Sequence, residues 1–236
     1  MLKYSVITIN YNNINGLIKT IQSVVNQSYK YFEFIVIDGG SNDKSLEIIM
    51  RFESQIKYWV SENDNGVYHA MNKGLAKATG DYCIFLNSGD FFKDQFVLSR
   101  IPDLILGDED LFYGLIAWEE KKQIWNPLEN LRPFEIAFHS PIPHQGAFFR
   151  VDTLNQMGGY NENYRIISDW GVFVEFLLAE KKVKKIGLII STCENQGISA
   201  SSKSIILKER IKYLWRHSKI TLVKGLVYQL KLKLKL

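Results

Sequence analysis

Tyr4-Ser5-Val6-Ile7-Thr8-Ile9-Asn10-Tyr11-Asn12-Asn13 stands near the start of the chain, a short β-branched run that breaks off into polar residues. An unbroken apolar run of this length predicts a strand buried on both faces. Leu17, Ile21, Val24 and Val25 follow at i, i+4, i+7 and i+8, one face of a helix. The pattern then repeats. Phe34–Ile37 predicts a second strand, followed by Ser41 as N-cap of a helix carrying Leu46, Ile49 and Phe52. Tyr58–Val60 predicts a third strand, then a helix from about Val67 that turns Met71 and Leu75 inward and closes at Gly80. Tyr82–Leu86 predicts a fourth. Alternation of this kind with short connections specifies an α/β fold with a mostly parallel central sheet flanked by helices.

The strand ends carry the chemistry. They read Asn10-Tyr11-Asn12-Asn13, Asp38-Gly39-Gly40, Glu62-Asn63-Asp64-Asn65-Gly66 and Asn87-Ser88-Gly89-Asp90. In a parallel sheet these carboxyl ends share one edge, where ligands bind. Each loop alone is ordinary turn chemistry; four together at one edge predict a polar, acidic crevice.

The 236 residues are 46% hydrophobic and 23% charged, which excludes disorder, collagen and coiled coil. Two cysteines are too few for a disulfide framework, and Cys83 lies in an apolar run as a buried free thiol, pointing to a reducing compartment. The net charge of +4 hides an asymmetry: residues 203–236 hold ten basic side chains and one acid, Glu209, while residues 1–202 carry 19 basic and 24 acidic groups. An acidic body with a basic tail argues against nucleic acid as a partner. No targeting segment is visible, and no run of 18 apolar residues occurs.

The second half is less regular. Leu111–Trp118 and Gln123–Trp125 predict a hairpin across Glu119–Lys122. Pro133, Pro141 and Pro143 bracket a loop with His139 and His144; Asp169 precedes an inward helical face of Phe173, Phe176 and Leu177; Ile186–Thr192 predicts a strand and Glu194–Ser202 a polar loop. Leu207, Ile211, Leu214, Trp215, Val223, Leu226 and Leu230 recur at helical spacing in the basic tail. Three regions result: 1–95 and 96–202, the two halves of one 1–202 domain, and 203–236, a basic amphipathic C-terminal segment.

Several chemistries are excluded by motif. No Gly-x-Gly-x-x-Gly follows the first strand, and Lys44-Ser45 lacks the second glycine of a phosphate-binding NTPase loop. No zinc-type Cys/His spacing and no Gly-x-Ser-x-Gly elbow occurs. A phosphate ligand in an acidic crevice needs a divalent cation between the charges, and Mg²⁺ or Mn²⁺ accepts one or two carboxylates plus substrate phosphates. Asp90, after Ser88-Gly89, suits that role; capping a helix that starts near Asp94 is its alternative.

Four segments together resemble the family 2 glycosyltransferases, which have the GT-A fold: Ser5–Asn12, Val36–Asp43, Ser61–Gly74 and Ala78–Asp90. His144-Gln145-Gly146 and Ser168-Asp169-Trp170 match later, looser landmarks. The resemblance implies that Tyr11, Asp38 and Asp64 line the site of a nucleotide-sugar donor, and that Asn87 to Asp90 take the place of a metal-binding Asp-x-Asp motif. It also implies that Asp169 is the catalytic base of an inverting transfer to an acceptor hydroxyl. Asn87 stands where an aspartate is usual, so Asp90 would carry most of a Mn²⁺ or Mg²⁺ ion's binding, with His144 as a further ligand or as a loop residue ordering the Pro141–Pro143 turn. Asp169 has the alternative of capping its helix.

The expected activity is therefore inverting transfer from a nucleotide-diphosphate donor, UDP-sugar favoured, to a lipid-linked glycan acceptor in bacterial surface polysaccharide synthesis. A non-catalytic sugar- or nucleotide-binding subunit of the same fold is the competing reading. A sugar nucleotidyltransferase would show a glycine-rich basic loop that residues 5–15 lack. The tail either packs its apolar face on the domain or lays it on an anionic membrane surface; the charge excess favours the membrane, and with it a cytoplasmic protein peripheral to the inner face of the cell membrane.

Overall fold

The computed structural model describes residues 1–120, 122–127, 142–194 and 203–216. β1 (Tyr4–Asn10), β2 (Phe32–Asp38), β3 (Tyr58–Ser61) and β4 (Tyr82–Phe85) run parallel in the order β3-β2-β1-β4. Helices α1 (Ile14–Val25), α2 (Ser45–Arg51) and α3 (Val67–Leu75) connect them. Side chains alternate between the faces. Val6, Phe34 and Val36 pack with Leu17 and Ile21 of α1, whereas Ile7, Ile35 and Ile37 pack with Met71 and Leu75 of α3. Both faces are thus covered, which is why the strands read as continuous apolar runs.

Beyond the parallel β3-β2-β1-β4 block the sheet takes on antiparallel strands. β8 (Ala147–Arg150) runs antiparallel to β4, and β6 (Leu111–Trp118) antiparallel to β8. β9 (Val183–Cys193) lies parallel to β6, and β5 (Phe91–Phe92) pairs with it in the opposite sense. β7 (Gln123–Trp125) forms the expected hairpin with β6. The β6–β9 register slips after Tyr113. Gly114 makes that possible, because a Cβ there would lie 2.4 Å from the Leu188 carbonyl.

Three local expectations are corrected. α3 ends at Leu75, not at Gly80; Gly80 instead lets the chain pass the start of β1, where a Cβ would meet the Lys3 carbonyl and the Ser5 amide at 2.8 Å. Ser41 does not cap α2, since Ser45 begins it and bonds Asp43 Oδ1 through both its amide and its hydroxyl. The short helix α4 (Val97–Arg100) follows a turn in which Asp94, not Asp90, accepts the Phe96 amide.

On the α3 side lie α5 (Val151–Gln156) and α6 (Ser168–Leu178), the latter burying Phe173 and Phe176. The chain then continues into α7 (Lys203–Arg216), whose Tyr213 and Leu214 pack with Tyr164, Ile166, Trp170 and Val174 in a third cluster. Glu209, the tail's lone acid, accepts the Arg165 and Ile166 amides at 2.7 and 3.0 Å and so pins α7 to the segment leading into α6. Outward from α7 face Lys208, Lys212, Trp215 and Arg216. Among the described residues no helix is long and apolar enough to cross a membrane. Cys83 and Cys193 are buried free thiols. The loop with Pro133, His139 and Pro141, residues 195–202 and the tail from 217 lie outside the described residues.

Candidate active site

Parallel pairing sets Asn10 beside Asp38 and Asp38 beside Ser61, so three polar strand ends meet at one edge. Asp38 is 0% exposed and accepts four hydrogen bonds. Asn10 Nδ2 and Ser41 Oγ donate to Oδ1, each at 2.6 Å; the Ser41 amide (2.9 Å) and Ser61 Oγ (2.6 Å) donate to Oδ2. Burial alone would push this carboxyl up, but the donors from Ser41, Ser61 and Asn10 outweigh it and hold Asp38 below the ordinary carboxylate range. Asp38 is the floor of the crevice, its oxygens occupied by the loops it organises. Asn12, at φ +50°, ties those loops further by accepting the Asn42 amide at 2.8 Å.

Above that floor, Tyr11 is 67% exposed. A Cβ on Gly39 would lie 3.3 Å from the Tyr11 ring and 3.2 Å from Asp64 Oδ2. The ring and the carboxylate therefore close together over the buried Gly39 backbone. Lys73 of α3 pairs with Asp64 and, at 2.8 Å, with Glu62, fixing the loop after β3.

The 87–90 loop is tied to the same edge. Ser88 Oγ donates to Asn10 Oδ1 at 2.7 Å, and Asn13 Nδ2 to the Ser88 carbonyl at 3.0 Å. Asn87 Oδ1 is buried without a hydrogen-bond partner. Asp90 points inward: it is 8% exposed, and burial pushes its carboxyl up to about 7 against hydrogen bonds from Cys193 and Gln145. Over Gly89, at φ +103°, sits Glu194, whose Oε2 would be 3.0 Å from a Cβ there; Lys19 holds its other oxygen at 2.7 Å. No three His, Cys, Asp or Glu side chains group into a metal cage among the described residues. The unspent Asn87 oxygen fits instead a hard cation whose shell is completed by a ligand's own phosphates.

His144 is placed elsewhere. Its Nε2 lies 2.8 Å from Tyr160 Oη, its ring packs between Phe85, Phe149 and Phe173, and burial lowers its imidazole below the usual value. The geometry spends His144 on this aromatic box and gives its neighbour Gln145 to Asp90. The alternative of a loop residue beside Pro143 also misses this packing.

Asp169 stands in the first turn of α6, half-buried, and is not the residue preceding the helix. Its Oδ1 accepts the Trp170 amide at 2.8 Å and Tyr68 Oη at 3.1 Å. The single Tyr68 phenolic proton is shared with the Ile166 carbonyl, nearer at 2.5 Å, and the ring stacks on Tyr160, centroids 5.9 Å apart. Burial drives both phenols well above their ordinary value, so they remain protonated donors. Tyr68, Tyr160 and Gln145 escaped the sequence reading. Tyr68 stands two residues after Gly66 of the Asp64–Gly66 loop and Gln145 directly follows His144, so nearness in sequence was their only signal. Tyr160 had only the preceding Gly158-Gly159.

Residues 5–163 match the model of a family described as Glycosyl transferase family 2. A Mycobacterium tuberculosis protein named as an uncharacterized glycosyltransferase, Rv1514c, is 36% identical over 171 residues, which cover 70% of this chain and 65% of that one. A PGL/p-HBAD biosynthesis glycosyltransferase of Mycobacterium bovis is 28% identical over 89% of this chain and 83% of its own length. Among solved structures, S. aureus TarS 1-349 in complex with UDP-GlcNAc superposes over 97% of this chain and 71% of its own, with a TM-score of 0.77 at 16% identity. The mannosyltransferase PcManGT from Pyrobaculum calidifontis, in complex with GDP-Man and Mn²⁺, gives 0.67 at 14% identity over 95% of this chain and 69% of its own.

Proposed function

Because this chain belongs to glycosyl transferase family 2, we propose that it transfers a sugar, with inversion, from a nucleotide-diphosphate donor to a hydroxyl of a glycan acceptor. The observation that carries the reading is the link from Tyr68 to Asp169, which joins a half-buried carboxylate to the loop beside Tyr11 and Asp64. In this reading the nucleoside lies between Tyr11 and Asp64, on the floor that Asp38 organises. Asp169 takes the proton from the acceptor hydroxyl as its oxygen bonds the anomeric carbon. The bond from that carbon to the diphosphate breaks on the opposite side, and the nucleoside diphosphate leaves. Such a base is worth ~10²–10⁴-fold in rate. Asn87, with Asp90 once ionised, would hold Mg²⁺ or Mn²⁺, which offsets charge on the leaving diphosphate. His144 serves in positioning rather than in ligation.

Structures of the same fold bind UDP-GlcNAc and GDP-Man, and UDP is the favoured nucleotide here. In this reading the acceptor is lipid-linked and the product a surface polysaccharide; one relative is named for PGL/p-HBAD biosynthesis. The outward stripe of Lys208, Lys212, Trp215 and Arg216 supports docking at an anionic membrane surface, since α7 already turns its apolar side onto the domain. Thermal unfolding with UDP, GDP and CMP, each with and without Mn²⁺, tests the donor site. A nucleotide at about 100 times its Kd adds ~2.7 kcal/mol, a shift of several degrees. Shift by one nucleotide together with turnover that Asp169→Asn abolishes is the expected result. Failure of every nucleotide to shift the protein points instead to a non-catalytic subunit.

A further inference from the structure

Between α6, the 157–164 loop and α7 lies a cavity of about 350 Å³, within the size range of small-ligand sites. One face of α6 lines it with Ser168, Gly171, Val172 and Glu175, spaced i, i+3, i+4 and i+7. The loop adds Asn161, Asn163 and Tyr164, and α7 adds Tyr213. Ser168 is 2% exposed, and its hydroxyl has no hydrogen-bond partner. Leaving such a group unmade costs about 1–3 kcal/mol, so this hydroxyl lining a cavity marks a place where a ligand's polar group completes the structure.

The remaining lining defines the ligand's class. It offers a carboxylate, two amides and two tyrosine rings, and no Lys, Arg or His. A phosphate or nucleotide finds no cation there, and an acyl chain finds too many polar groups to desolvate. A polyhydroxylated ring matches: one hydroxyl completes Ser168, and others reach Glu175, which already accepts Tyr213 Oη at 2.9 Å, and the Asn161 and Asn163 amides, which bond each other at 3.0 Å. Gly158, at φ +87°, leaves the entrance bare, with no atom within 4 Å of the position a Cβ would take.

The walls are held from both sides. Asn72 of α3 donates to the Tyr160 carbonyl and Glu162 at 2.8 and 2.7 Å and accepts the Tyr160 amide at 2.9 Å. Glu209 grips the other end of the segment through the Arg165 and Ile166 amides. A cavity fixed in advance loses little ordering entropy on binding. Ser168 immediately precedes Asp169 in the first turn of α6, so the cavity and the residue given the base role above share one helix. We infer that it is a subsite for a neutral glycosyl residue of the acceptor. The inference rests on the glycosyltransferase reading and narrows it, because it makes the acceptor a glycan that is recognised ring by ring.

The test uses the full chain and a panel of methyl glycosides (hexopyranosides, 6-deoxyhexopyranosides and N-acetylhexosaminides), measured by saturation-transfer NMR and titration with UDP and Mn²⁺ present. UDP binding is read separately. At least one glycoside is expected to bind the wild type, and Ser168→Ala and Glu175→Gln are each expected to weaken it about tenfold. Ser168→Ala should not lower Tm, because an unpartnered hydroxyl stabilises nothing; a merely structural serine would. If Glu175→Gln disturbs Tyr213, Asn163→Trp blocks the same entrance from an exposed loop position. A protein that binds UDP but no glycoside of the panel, or binds one equally well in all variants, overturns the subsite. A wild type that binds no nucleotide overturns the glycosyltransferase reading itself.

Discussion

Asp38→Asn isolates the contribution of the buried hub. The amide is isosteric with the carboxylate but brings two N–H donors where only acceptors fit. If its nitrogen replaces Oδ2, Ser61 Oγ can turn to accept, but the Ser41 amide is left facing an N–H. If it replaces Oδ1, Ser41 Oγ can turn, but Asn10 Nδ2 is the group left over. Either way one buried bond to a charged group is lost, worth ~1.5–3 kcal/mol. The other three weaken from charge-assisted to neutral, roughly halving their strength. A total of about 4 kcal/mol follows at the low end of these figures, which lowers Tm by roughly 8–16 °C in a domain of this size. The effect has a pH signature. Asp38 has its folded value depressed, so its stabilisation is present above the unfolded value of about 3.9 and is lost as pH falls through the lower folded one. Calorimetric scans from pH 7 to pH 3 should show the wild-type and variant Tm values converging below about pH 4. A variant within 2 °C of wild type at pH 7, or a gap that stays constant into acid, would refute the hub.

Asp169→Asn should cut transfer by ~10²–10⁴-fold while leaving the nucleotide-induced Tm shift intact; loss of both would mean a structural role. Tyr68→Phe removes one hydrogen bond to Asp169 and should lower kcat about 2–10-fold with little change in donor KM, whereas a KM effect alone would place Tyr68 in donor binding. Asp90 has its folded value raised to about 7, so the folded state keeps a proton that the unfolded chain releases. Stability from this group therefore declines as pH rises from about 4 to about 7. Asp90→Asn escapes that decline, and in metal-free buffer its Tm should gain on wild type between pH 5 and 8; the opposite trend refutes the buried acid. Replacing Lys208 and Lys212 with Glu should release the protein from anionic but not neutral vesicles in co-sedimentation, without changing Tm; unchanged sedimentation removes α7 from the membrane reading.

What was legible in the chain follows the range of the interactions. β1 to β4 and α1 could be read because burial on both faces demands continuous apolar strands, and one-sided burial demands the Leu17, Ile21, Val24 spacing. The convergence of Asn10, Asp38 and Asp64 followed from parallel order alone. In the second half the β6–β7 hairpin, a strand within β9 and the buried face of α6 were legible, but the pairing order was not, because an antiparallel neighbour such as β8 needs no crossover helix to announce it. The surroundings of Asp90 were hidden for the same reason. Cys193 and Gln145 reach it from elements 103 and 55 residues away in sequence, and no local pattern encodes that meeting. Ser41 shows the opposite failure: it has the right residue type for a cap, but the buried charge of Asp38 attracts it more strongly than the first turn of α2.

The two halves, 1–95 and 96–202, are not mechanically separate among the described residues. β8 lies between β4 and β6, so the halves share one sheet and cannot move apart without breaking it. The turn His144–Gly146 reaches both centres, with Gln145 on Asp90 and His144 on Tyr160, which stacks on the Tyr68 that touches Asp169. Glu209 then ties α7 to the backbone just before α6. The orientation of Asp169 is therefore determined from three directions: α3 through Tyr68, the 144–146 turn through Tyr160, and the tail through the segment that Glu209 grips. A single acid within a segment of ten basic residues is an electrostatic anomaly only while the tail is regarded as a charge sum. In the fold it is the contact that joins the first stretch of that tail to the segment leading into Asp169.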